Sequence, residues 1–255
     1  MVVKERYIIC FISLFFLVLL FLPGCAHREE MKREASTRLG IGVGYLGEGK
    51  PSLALKELLK AEKLDGSDPR IKNALGLTYM ALGDLKKAEE YFREAIELRD
   101  DYSEAYNNLG LLLSREGRSE DAIKAYEKAV ENLLYQTPER AYNNMGIEYE
   151  KLGRLEEAKN AYLRAISLSP QFPAPYYNLG RLYSRQGRLD RAVEYLEKAV
   201  SLNPGFVSAY YQLGEVYLER KEYDKALESF KKVVKLSKTE EVREMARKYI
   251  ELLER

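Results

Sequence analysis

Tryptophan is absent from the 255 residues, histidine occurs once and cysteine only twice. With His27 as the single imidazole, no His/Cys cluster has metal-ligand spacing, and acid–base chemistry at neutral pH has few groups to work with. No glycine-rich phosphate loop occurs either. A net charge of +1 removes the global basic signature of a nucleic-acid binder. Carboxylates are abundant, yet they sit among lysines and arginines on helical faces, as in KKAEEYFREAIE from Lys86, the pattern of solvated i,i+4 pairs. The chain is therefore expected not to be an enzyme and to carry no cofactor, metal or small-molecule substrate. Present in quantity are apolar residues (46%), charged residues (32%) and 20 tyrosines, enough to bury a core.

Long apolar runs are also scarce. One extends from Tyr7 to Leu22, broken only by Ser13 and preceded by Lys4 and Arg6, and it suits a secretory segment better than a membrane span. It ends in PGCAH, residues 23–27. Leu22, Gly24 and Cys25 resemble the bacterial lipoprotein signal, with Pro23 departing from the usual small residue. That resemblance implies removal of residues 1–24 and acylation of Cys25. Several acyl chains hold a protein stably on a bilayer without spanning it. Ala26, in place of the aspartate that favours inner-membrane retention, implies an outer-membrane lipoprotein facing the periplasm. Cys10 would be removed and Cys25 lipidated, leaving no thiol for a disulfide. Residues 25–34, mostly charged, read as a tether.

The rest is a repeat. Gly42, Gly76, Gly110, Gly146, Gly180 and Gly214 are separated by 34, 34, 36, 34 and 34 residues. Taking this glycine as position 8 of each repeat, position 11 holds Tyr45, Tyr79, Leu113, Tyr149, Tyr183 and Tyr217. Position 20 is Ala54, Ala88, Ala122, Ala158, Ala192 and Ala226, and position 24 is Leu58, Phe92, Tyr126, Tyr162, Leu196 and Phe230. These columns closely resemble the tetratricopeptide repeat (TPR), with tyrosine at position 4 where that family usually has tryptophan. The resemblance implies an all-α superhelix of helical hairpins. Six repeats span 35–68, 69–102, 103–138, 139–172, 173–206 and 207–238, and 239–255 form a capping helix. The glycine and alanine columns are small because two helices cross closely there, and the tyrosine columns are core packing. Glycine at position 15 ends the first helix of each repeat in the left-handed conformation, except where Lys221 replaces it. The two extra residues fall in ENLLYQTPERAYNNMG, and they should lengthen a loop or the second helix.

Binding is expected where packing is not. Positions 2, 5, 6, 9 and 13 lie opposite the packing stripe, on the side that lines the concave groove in TPR proteins. Amides recur there: Asn73, Asn107 and Asn143 at position 5, and Asn108, Asn144, Asn178 and Gln212 at position 6. An amide can donate and accept, so a row of them could pair with the backbone of an extended peptide. A solvated consensus residue is the plainer alternative. Arg115, Lys151 and Arg185 at position 13, with Arg181 at position 9, would favour an acidic segment, although a cation near a helix C-terminus also suits the helix dipole.

The lipoprotein signal, an array of six repeats, and the strings RLGIGVGYLGEGKPSLALKELLKAEKLD and LLYQTPERAYNNMG together resemble the TPR lipoprotein of type IV pilus biogenesis, the secretin pilotin. That resemblance implies a membrane-anchored scaffold that helps the pilus secretin reach the outer membrane and assemble. A periplasmic adaptor for a protease or cell-wall enzyme is the alternative.

Overall fold

The computed structural model describes residues 27–254, and Cys25 with the apolar segment lies outside them. Thirteen helices and no strand occur among the described residues. None of these helices is long and apolar enough to cross a membrane. They follow one another in six successive pairs: α1 (27–47) with α2 (Pro51–Leu64), α3 (Pro69–Leu82) with α4 (Leu85–Leu98), α5 (Ser103–Arg115) with α6 (Ser119–Glu131), α7 (Pro138–Lys151) with α8 (Leu155–Leu168), α9 (Pro173–Arg185) with α10 (Leu189–Leu202), and α11 (Val207–Glu219) with α12 (Tyr223–Leu236). A single helix, α13 (Glu240–Leu253), follows. The described residues divide into two compact units, one ending at Leu112 and the other beginning at Leu113, with the boundary inside α5.

The closing contact of a hairpin joins positions 8 and 24. Gly76 lies under the Phe92 ring in the first unit; in the second, Gly146 lies under Tyr162, Gly180 under Leu196 and Gly214 under Phe230. A Cβ added at these glycines would stand 2.4–2.6 Å from the facing side chain, so no larger residue fits without displacing it. The position-24 side chains Leu58, Phe92, Tyr126, Tyr162, Leu196 and Phe230 are fully buried, each contributing about 1.5–3 kcal/mol by leaving water. The alanines of position 20 are all fully buried.

Turns between paired helices share one geometry. Gly49, Gly83, Gly117, Gly153 and Gly187 have φ between 69° and 87°, and Lys221 adopts φ 62° in the sixth hairpin, where a side chain is strained. In each turn the next backbone N–H donates to the carbonyl of position 11, for instance Arg154 N–H to Tyr149 at 2.8 Å, which caps the orphan carbonyls of the first helix.

Two stretches add detail to the sequence reading. Residues 27–34, expected as a tether, are helical and continuous with α1, with Arg38 paired to Glu34 at 2.7 Å one turn on. The two extra residues enter the loop after α6, which runs over 132–137 and buries Tyr135 while leaving Leu133 97% and Leu134 80% exposed. At the C-terminal end, Tyr249 of α13 stacks on Phe230 of α12 at 4.4 Å and Ala246 is fully buried, so α13 covers the apolar face of the last hairpin.

Candidate functional site

The amides are placed differently from the expectation of a row open to a groove. Position 5 is buried: Asn73 and Asn107 are 9% exposed and Asn143 is 6% exposed. Within the first unit, Asn108 Nδ2 donates to Asn73 Oδ1 at 2.9 Å; within the second, Asn178 Nδ2 donates to Asn143 Oδ1 at 2.9 Å. The amide at position 6 of one repeat therefore reaches back to the amide at position 5 of the repeat before it. Position 5 faces the neighbouring hairpin, not solvent, and its first duty is to hold two hairpins in register. Asn178 is itself buried, whereas Asn108, Asn144 and Gln212 remain half-exposed. The buried Oδ1 of Asn107 has no partner among the described residues.

The cations at positions 9 and 13 are likewise engaged. In the second unit, Arg181 Nη2 lies 3.2 Å from Glu150 Oε1 and Arg185 Nη1 lies 3.3 Å from Glu150 Oε2. The Tyr162 hydroxyl donates to the same carboxylate at 2.6 Å. Burial, then this hydrogen bond, push the Tyr162 phenol upward, so it stays protonated as a donor. Two guanidiniums on one carboxylate leave a positive charge in excess, and the Arg185 side chain is 65% exposed. Arg181 Nε is buried with no acceptor among the described residues. Lys151 pairs with Glu148 at 2.8 Å and donates to Ser114 Oγ at 2.9 Å. Arg115 is exposed at the end of α5. Glu148 and Glu150, which the sequence reading passed over, thus neutralise much of the positive charge of Lys151, Arg181 and Arg185.

Glu148 is 1% exposed and accepts from Ser114 at 2.6 Å, Ser119 at 2.7 Å and Lys151 at 2.8 Å. Burial alone would raise its pKa, but the bonds from Lys151, Ser114 and Ser119 and the lysine charge outweigh it and hold the carboxyl below its ordinary value. On α11 the charge sign reverses, with Glu215 and Glu219 at positions 9 and 13; burial and then Glu219 raise the pKa of Glu215. Gln212 lines a cleft of about 610 Å³ with Tyr177, Tyr211, Val242 and Met245. The second unit therefore presents Asn144, Lys151, Arg181, Arg185 and Gln212 as its polar, partly exposed set along α7, α9 and α11. No group of metal ligands occurs among the described residues.

Helical hairpins that close on a glycine–aromatic contact and share one glycine turn define a helical-repeat protein of the kind that binds other proteins. Tetratricopeptide-repeat models match residues 68–134, 146–187 and 177–241, and the chain belongs to the tetratricopeptide-repeat family, whose members bind protein partners. Residues of the chain are 28% identical over 137 positions to the type IV pilus assembly protein PilF of Pseudomonas aeruginosa, covering 50% of this chain and 54% of that one. An 80-residue stretch is 35% identical to the peroxisomal targeting signal receptor of Eremothecium gossypii, covering 31% of this chain and 14% of the receptor. The chain thus spans about a seventh of that receptor and about half of PilF. Among solved structures, PilW, a widely conserved type IV pilus biogenesis factor, superposes with a TM-score of 0.74 at 23% identity over 83% of this chain and 97% of PilW. PilF of Pseudomonas aeruginosa gives 0.75 at 20% identity over 87% and 99%. At these identities the superpositions show a shared fold.

Proposed function

We propose that the chain is an envelope lipoprotein, anchored at Cys25 in the outer membrane and facing the periplasm, that assists assembly or localisation of the type IV pilus secretin. The observation that carries this reading is the 137-residue match to a type IV pilus assembly protein, which extends over half of both chains. The lipoprotein-like LPGC at Leu22–Cys25 supports the anchor. The partner would lie in extended form along the polar set of α7, α9 and α11. Arg181 Nε, buried without an acceptor, and the exposed Arg185 guanidinium suit a backbone carbonyl and a carboxylate there.

Cys25→Ser in the native host tests anchor and role together. The variant is expected to leave the outer-membrane fraction and to lower the amount of heat-resistant secretin multimer on a denaturing gel. Unchanged fractionation with a full multimer band would contradict the proposal.

A further inference from the structure

In two repeats a ring at position 23 covers the tyrosine at position 11. In the second repeat Tyr91 stacks on Tyr79 at 5.4 Å with the rings 9° apart, and in the fifth Tyr195 stacks on Tyr183 at 5.4 Å and 21°. The fourth repeat has Tyr149 at position 11, but Ala161 stands where the stacking ring should be. The sixth repeat also lacks a ring, having Ser229, but there Tyr217 is only 5% exposed and its hydroxyl is taken by Glu197 at 2.6 Å. In the fourth repeat the space stays open as a cleft of about 500 Å³ between α6, α7 and α8.

The floor of the cleft is apolar: Val130, Tyr142, Met145, Tyr149 and Ala161. Its charged lining is mostly acidic, with Glu127, Glu131 and Glu157 against the single guanidinium of Arg164. Glu131 pairs with Lys128 at 2.9 Å and Glu157 with Arg154 at 3.1 Å, partly exposed pairs that cost little to exchange. The Arg154 guanidinium also lies over the Tyr149 ring at 4.6 Å, as Arg188 lies over Tyr183 while Tyr195 stacks on it. The loop that leaves Glu131 carries the exposed Leu133 and Leu134. A cleft lined by apolar side chains together with three carboxylates is complementary to an aromatic side chain flanked by basic residues.

We propose that this cleft is a second docking site, separate from the polar set on α7, α9 and α11, and that it takes an aromatic side chain of a partner protein with lysine or arginine beside it. The aromatic ring completes the stack on Tyr149 that Tyr91 and Tyr195 make internally in their own repeats. The flanking cations meet Glu127 and Glu131.

Methyl-labelled methionine supplies the readout, because Met145 lines this cleft and Met245 lines the one beside Gln212. The probe is the peptide acetyl-Lys-Trp-Lys-amide, added to the protein carrying residues 25–255. The Met145 methyl resonance is expected to shift in a saturable way while Met245 stays still. Ala161→Tyr, which installs the missing ring from within, should keep the helical circular dichroism and weaken the Met145 response about tenfold or more. Glu127→Lys with Glu131→Lys should weaken it several-fold, and replacing the probe lysines by serine should do the same. A Met145 resonance indifferent to the peptide overturns the proposal, as does an unaltered response in a folded Ala161→Tyr protein. A Met145 shift that follows protein concentration alone assigns the cleft to a second copy and also overturns it. None of these outcomes depends on whether the pilus secretin binds the polar set.

Discussion

Gly146→Ala is expected to lower stability by about 2 kcal/mol, whereas Gly44→Ala should raise it by about 1 kcal/mol. Both glycines lie inside first helices of hairpins, so alanine gains about 1 kcal/mol of helix propensity at either position. The sign differs because of what faces them. A Cβ on Gly146 would lie 2.4 Å from Cε1 of Tyr162, a ring that is fully buried and tied by its hydroxyl to Glu150 at 2.6 Å. The ring cannot retreat without breaking that bond, so overpacking of about 3 kcal/mol outweighs the propensity gain. Nothing lies within 4 Å of a Cβ built on Gly44. Urea midpoints of the two variants against the parent check the pair. Equal shifts of the same sign would mean that the glycine column is not set by the position-24 side chain.

Glu148→Ala is expected to cost about 3 kcal/mol, and Glu148→Gln less than half of that. The alanine variant strips the acceptor from Ser114, Ser119 and Lys151 around a site 1% exposed, and breaking such a buried pair is costly. Lys151 is 45% exposed and can turn to water, which keeps the loss at the low end. Glutamine keeps one acceptor oxygen for one serine, and its NH2 can donate to the hydroxyl oxygen of the other. The charge and one acceptor are lost while both serines stay paired. The pH dependence follows from the depressed carboxyl pKa. A carboxyl whose folded pKa lies below its unfolded value adds stability that is full above the unfolded pKa, about 4.3 for glutamate, and is lost as pH falls through the folded value. Stability of the parent should therefore fall with acid more steeply than that of Glu148→Gln below about pH 4. Parallel acid profiles would show that the carboxylate is not held in its charged form by these partners.

Repeat length, hairpin fold and core columns were legible because each column repeats one physical demand: a small residue at a helix crossing, a large one facing it, glycine at a left-handed turn. Lys221 shows that the demand belongs to the backbone, since the turn keeps φ 62° without glycine. The polar side was less legible because pairing there runs between repeats, about 35 residues apart, as in Asn178 to Asn143. Helical periodicity put positions 5 and 6 on one face, but it carries no information about the next hairpin, which buries Asn143 and Asn178 and leaves Asn144 half-open. Glu148 and Glu150 did leave a signal. Position 10 otherwise reads Gly44, Thr78, Leu112, Leu182 and Val216, and position 12 reads Leu46, Met80, Ser114, Ser184 and Leu218, so a carboxylate in either column is an anomaly. Such an anomaly in a packed column needs partners, and lysine and arginine at position 13 were there to supply them. The cleft beside Tyr149 left a fainter trace, alanine at position 23 opposite a position-11 tyrosine, in a column that carries a ring only at Tyr91 and Tyr195.

The proposed function requires the polar set of α7, α9 and α11 to hold the pilus secretin. A photo-crosslinking residue placed at Asn144 in living cells tests it most directly, with the same residue at Lys198, exposed on α10, as the comparison. Irradiation should join the secretin to the protein labelled at 144 and leave the protein labelled at 198 free of it. Secretin captured equally from both positions, or from neither, would contradict the claim.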